Sequence, residues 1–249
     1  MISMEQGLSE QNFIMSIAES SIVDMSSSIK GVRAYHSFFG FTKLLLPVLL
    51  AFAHTVVNAA TYEIDHAETQ LYWLVYSSGA LAGLGHNHVV SAPEVQGSIY
   101  LQDALADSTF MLEIPVHSLQ VDAPALRSTL GQPFASRPSQ RDIEATRSNM
   151  LSRALLDSEA YPDIRIAGSA FQSEGDTQTL QLTLTLKGTD VDIIVPVVLD
   201  LEEERITVKA QFQLTHQQLG LRPFSALLGA LKVAEHMDFF CVLVARRVR

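Results

Sequence analysis

The chain has 249 residues, 47% hydrophobic and 18% charged, which excludes a disordered polymer and leaves length for one large domain or two small ones. A formal net charge of −10 excludes nucleic acid as the expected partner, because phosphate binding needs clustered Lys and Arg. The single cysteine, Cys241, excludes an internal disulfide and a cysteine-based zinc cluster; within FFCVLV it reads as a small core residue.

In chain order, residues 1–31 come first. They carry Glu5, Glu10, Glu19 and Asp24 and a serine cluster at 26–28, and they fit neither a leader nor a strand. Their charge distribution suggests a translation start near Val32. From Lys43 the run LLLPVLLAFAHTVVNAA has the three parts of a secretory leader: a cation, a short apolar stretch and small residues. Val57 and Ala59 occupy the −3 and −1 positions and predict cleavage after Ala59. A membrane anchor is the weaker reading, since a span needs about 20 apolar residues and Pro47 and His54 interrupt this run. The expected organisation is therefore an N-terminal extension and leader over 1–59, then one domain over 60–249, secreted to the periplasm.

From Tyr62 onward the hydrophobic period is two, the signature of strands with one dry and one wet side. Tyr62 and Ile64 open a short strand, and Leu71, Trp73 and Val75 share one face of the next. Phe110, Leu112 and Ile114 alternate in FMLEIPV, and Ile164 and Ile166 in DIRIAGSAF. The clearest case is LQLTLTLKG, where Leu180, Leu182, Leu184 and Leu186 share a face against Gln181, Thr183 and Thr185. VDIIVPVVLDLEE, RITVKAQFQLTH and EHMDFFCVLVARR complete the set. Pro196 predicts an edge, a bulge or a strand start. Glu174-Gly175-Asp176 and Lys187-Gly188-Thr189 are hairpin signals, and Glu202, Glu203 and Glu204 mark a charged turn. Between Asp122 and Asp157 the pattern changes to helical spacing, predicting a helix from Ser139 to Leu151 and a short one from Pro124 to Leu130 over an opening of a barrel. Phe224 to Lys232 reads as a helical turn or a loop lid. The expected fold is all-β with minor α, an antiparallel barrel or sandwich of roughly eight strands.

Several segments in order carry a resemblance. TYEID at 61–65, Val116-His117-Ser118-Leu119, Thr146-Arg147-Ser148-Asn149-Met150-Leu151, Tyr161-Pro162-Asp163-Ile164, Leu184-Thr185-Leu186-Lys187-Gly188, and Pro223-Phe224-Ser225 with Gly229-Ala230-Leu231 resemble the motifs of the YceI-like family of secreted lipid- and polyisoprenoid-binding barrels. Gly85-His86-Asn87-His88 is similar to the branch of that family with G-H-x-H after its first long strand. The chain departs from the pattern at LTLKGTDVDIIVPV, where a Thr-Arg pair is missing. The resemblance implies an extended eight-stranded antiparallel barrel of lipocalin-like shape with a helix packed against it. It also implies non-covalent binding of a long isoprenoid or fatty acyl chain in the lumen, with no cofactor and no catalysis.

A barrel of this size is just wide enough for side chains or one slender ligand. Leu71, Trp73, Val75, Phe110, Leu112, Ile114, Leu182, Leu184, Phe212 and Leu214 are the expected lumen-facing residues. Alternation alone does not separate a lined lumen from a filled core. Burying about 10 methylenes at about 0.8 kcal/mol each gives about 8 kcal/mol gross, against association costs of about 4–15 kcal/mol. Such a carrier holds its ligand yet releases it at a membrane, so transient membrane contact is expected, and an outward apolar edge could support a homodimer.

The alternative is a histidine-based metal-binding or redox accessory domain on the same barrel. His86 and His88 are spaced i, i+2 and, on a strand, point the same way. A third ligand would have to come from His66, His117, His216 or His236 through the fold, and hydrogen bonding at the barrel mouth is the plainer role. A hydrolase reading around Ser91, His117, Ser118 and Asp122 has no nucleophile elbow. Arg141, Asp142, Glu144 and Arg147 read as a solvated helix face.

Overall fold

The structure, a computed structural model, describes residues 59–174 and 177–249. The leader, its cleavage motif up to Asn58 and the extension before it lie outside the described residues. Among the described residues no helix is long and apolar enough to cross a membrane.

Among the described residues twelve strands run β1 (Ala60–Ile64), β2 (Gln70–Ser78), β3 (His88–Ser91), β4 (Gln96–Leu101), β5 (Thr109–Pro115), β6 (Gln120–Val121), β7 (Asp163–Glu174), β8 (Thr177–Leu186), β9 (Thr189–Leu201), β10 (Arg205–Thr215), β11 (Ser225–Ala226) and β12 (Leu231–Arg247). The helices α1 (Pro124–Arg127) and α2 (Gln140–Leu151) lie between β6 and β7. The ring β1-β4-β5-β7-β8-β9-β10-β12 closes because β12 pairs back onto β1, Tyr62 opposite Arg247 and Ile64 opposite Ala245. Eight antiparallel strands thus form the expected closed barrel.

Closure holds along one end only. β12 has 17 residues, and its N-terminal part pairs instead with β2, Phe239 opposite Trp73 and Lys232 opposite Ser78. The sheet continues there as β2-β3-β6, and α2 covers the gap beyond β6. Arg147 pins the helix by donating Nη2 to the His117 carbonyl at 2.6 Å and Nε to the Leu119 carbonyl at 3.3 Å. Val116, Leu119, Met150 and Leu156 are buried beneath it in the main core. Arg147 is therefore a tether, not part of a solvated face.

Local chemistry explains the boundaries. Ser139 caps α2: its Oγ accepts the Asp142 amide at 3.3 Å while the Asp142 carboxylate accepts the Ser139 amide at 3.1 Å. The short helix stops at Arg127, earlier than its spacing suggests. Lys187 and Gly188, both with positive φ (52° and 69°), make the two-residue turn between β8 and β9. Pairing of β9 with β10 ends at Val197 opposite Ala210, one residue short of Pro196, which has no amide to donate. Phe224–Ala230 is a loop with the two-residue strand β11 and a single turn at Leu227–Gly229, and Leu231 and Lys232 already open β12.

Candidate ligand cavity

Inward side chains of β2, β7, β8, β10 and β12 do not fill the barrel at its open end. They enclose a cavity of about 520 Å³, within the range of about 300–1,000 Å³ usual for small-molecule sites. Leu71, Trp73 and Val75 line it from β2, Ile114 from β5, Leu182 and Leu184 from β8, and Phe212 and Leu214 from β10. One wall is an aromatic slab. Trp73 stacks on Phe239 at 5.8 Å between ring centroids, and Phe239 on Phe212 at 5.3 Å with the planes 7° apart. Each stack joins directly opposed residues of neighbouring strands. Phe239 and Met237 belong to this wall but escaped the alternation argument.

Two expected lumen residues are placed elsewhere. Leu112 is buried in the packed core and does not line the cavity. Phe110 lines a second, smaller space of about 60 Å³ together with Leu180, Phe171 and Val208. The register explains the difference. Phe110 is opposite Gly168, and Gly168 is opposite Leu182, so the three form one row across β5, β7 and β8. Leu182 belongs to the large cavity and Phe110 to the small one; the phenyl ring stands at the boundary of the two.

The cavity's other end is polar. Gly85-His86-Asn87-His88 enters β3, and the chain alternates there. Asn87 turns outward, accepting the Ser77 amide at 3.0 Å on Oδ1 and donating Nδ2 to the Pro133 carbonyl at 3.0 Å. His86 and His88 turn inward and line the cavity, their rings 6.3 Å apart and edge-on. Only His88 is in the strand. Its Nδ1 lies 2.6 Å from Asp122 Oδ2, and its Nε2 lies 3.4 Å from Thr146 Oγ1 on α2.

Asp122 anchors this end. It is buried, 3% exposed, and its backbone sits in the left-handed region at φ 55°. Besides His88 its carboxylate accepts the Val89 amide at 3.0 Å and Arg127 Nη1 at 2.6 Å. Burial works to raise the Asp122 carboxyl, but the His88 hydrogen bond, the Val89 amide and the Arg127 charge hold it below its usual value. Arg127 is fully used: Nη1 also donates to the Asn87 carbonyl at 2.8 Å, Nε and Nη2 donate to the Ser136 carbonyl, and its guanidinium lies 5.6 Å from the Phe134 ring centroid. Asp122 and Arg127 are a buried pair five residues apart that no periodic pattern in the sequence betrays.

Two of the remaining histidines lie near this cavity without joining His86 and His88 in a cluster. His216 lines the cavity, buried, with Nδ1 2.9 Å from the Glu235 carbonyl, and His236 packs on the Tyr76 ring at 5.6 Å. Among the described residues no three His, Cys, Asp or Glu side chains are grouped closely enough to hold a metal ion. Ser118 donates to the Pro115 carbonyl at 2.8 Å and takes no part in a triad.

The family model of the YceI-like domain matches residues 62–244. Comparison with curated proteins gives no match. Among solved structures, BcnA of Burkholderia cenocepacia is similar with a TM-score of 0.53 at 13% identity, over 73% of this chain and 98% of its own. A polyisoprenoid binding domain from Saccharophagus degradans, described as implicated in plant cell wall breakdown, gives a TM-score of 0.48 at 14% identity over 76% and 99%. A mutant YceI protein of Campylobacter jejuni gives 0.45 at 10% identity over 64% and 84%.

Proposed function

The chain belongs to the YceI-like domain family, and on that premise we propose that it is a periplasmic, non-enzymatic carrier that holds one long isoprenoid or other lipid chain in its barrel lumen. The observation that supports this reading most is the apolar cavity of about 520 Å³ walled by Trp73, Phe239 and Phe212. A packed barrel has no need of such a space, since interiors otherwise close to crystal-like density. A dry aliphatic and aromatic wall accepts methylenes and prenyl units, and no covalent chemistry is required of it. The match to the YceI-like domain, whose resemblance implies lipid binding, agrees with this ligand class.

The rim supports loading at a membrane. Leu84 and Phe224 line the mouth yet are exposed, and Leu227 and Leu228 stand exposed beside them. The two loops are tied together by the Leu81 amide donating to the Ala230 carbonyl at 2.8 Å. Four large apolar side chains around an opening form the surface a headgroup layer would receive.

Organic extraction of the purified protein followed by mass spectrometry tests the proposal. A stoichiometric prenyl or fatty acyl compound is the expected result. Its absence, together with failure to bind added prenyl or acyl ligands, overturns the reading.

A further inference from the structure

The two ring nitrogens of His88 have unlike surroundings. Nδ1 faces the Asp122 carboxylate at 2.6 Å, and an ionised carboxylate can only accept a hydrogen bond. Arg127 Nη1 holds the other Asp122 oxygen at 2.6 Å. The contact with Asp122 thus places a proton on Nδ1, and the neutral ring then carries its lone pair on Nε2. That lone pair sits at the polar end of a largely apolar cavity. Its one partner among the described residues is Thr146 Oγ1 at 3.4 Å, long for an O–H donor.

We propose that Nε2 of His88 receives the hydroxyl of the ligand's head group, so that the preferred ligand is a long-chain isoprenoid ending in a free alcohol. The proposal rests on the lumen reading above and narrows it. A ligand that only accepts hydrogen bonds leaves Nε2 with its weak Thr146 contact, whereas a hydroxyl replaces that contact with a short one. The charges at the mouth point the same way. Among the described residues Lys232 is the one permanent cation lining the cavity, and Asp142 lines it too. A diphosphate needs several convergent cations or amides, and the lining side chains do not supply them.

The buried, strained support of His88 fits this role. Asp122 adopts a left-handed backbone, and Arg127 spends its donors on Asp122, Asn87 and Ser136. Together they hold one imidazole in one tautomer, which shape alone would not require.

Titration of the full chain with all-trans-geranylgeraniol, its methyl ether and geranylgeranyl diphosphate, followed by tryptophan emission, tests the assignment. The alcohol should bind about tenfold tighter than the ether, the worth of one good hydrogen bond, and the diphosphate no tighter than the ether. His88→Phe should bring the alcohol to the level at which that same variant binds the ether. Thr146→Val, which keeps the imidazole, should retain the preference for the alcohol and serves where His88→Phe fails to fold. Equal or tighter binding of the ether or the diphosphate to the unmodified protein overturns the proposal while the lumen reading stands. So does an undiminished alcohol preference in His88→Phe, or its loss in Thr146→Val. Binding of none of the three defeats the lumen reading and this proposal with it.

Discussion

The ring of Phe110 lies directly against the backbone of Gly168: a β-carbon built on that glycine would stand 2.2 Å from Phe110 Cε1 and 2.4 Å from Cζ. The absence of a side chain at 168 is what lets the ring lie against this backbone, where it lines the small cavity. Gly168→Ala should displace the ring or the strand and destabilise the fold by about 1–3 kcal/mol. A fall in Tm of roughly 2–4 °C per kcal/mol in thermal unfolding would register it. Phe110→Ala should instead join the two spaces. Across a series of prenols of increasing length, the tightest binder should become longer in this variant than in the unmodified protein.

Trp73 is the chain's only tryptophan and lines the cavity. Its emission therefore reports on the lumen alone. Brominated fatty acids should quench it on binding, while iodide should quench it little. Trp73→Ala should lower affinity for a fluorescent prenyl or acyl ligand by about tenfold or more, given about 1.5–3 kcal/mol for burying a large apolar side chain, with the circular dichroism spectrum unchanged.

The exposed Leu228 touches the solvent side of the mouth and contributes to no core cluster. Leu228→Ser should leave ligand affinity in solution unchanged. It should slow transfer of a fluorescent ligand from anionic or neutral vesicles several-fold. Unaltered transfer would show that Leu228 does not take part in docking.

Asp122 makes stability depend on pH with a defined sign. Its folded carboxyl is held below the unfolded value of about 3.9. The stabilisation is therefore complete above that value and is lost as pH falls through the folded one. Asp122→Asn breaks a buried pair and should cost about 3–5 kcal/mol at neutral pH. The gap between variant and parent, measured by urea unfolding, should narrow below about pH 4.

Much of the barrel was legible because strand alternation and turn chemistry are local. Leu182 and Leu184 on β8, the Lys187-Gly188 turn and the Ser139 cap each act within a few residues of chain. Alternation gives the face of a side chain but not its height along the barrel, and the fate of Phe110 and Leu112 depended on height. The polar end was less legible still. His88 and Asp122 are 34 residues apart and meet only because Asp122 follows β6, which pairs beside β3. Arg147 was misread because its partners are backbone carbonyls on a distant connection, which leave no trace in charge spacing.

The pairing of β12 with β1 sets the order in which this molecule can be assembled. Tyr62 meets Arg247 across nearly the whole domain, so ring closure waits for β12 to be made, and contacts this distant in sequence form slowly. The same late strand brings Phe239 to Trp73. A chain still lacking its C-terminal strand has neither a sealed ring nor an aromatic wall. Clipping β12 should therefore abolish ligand loading altogether.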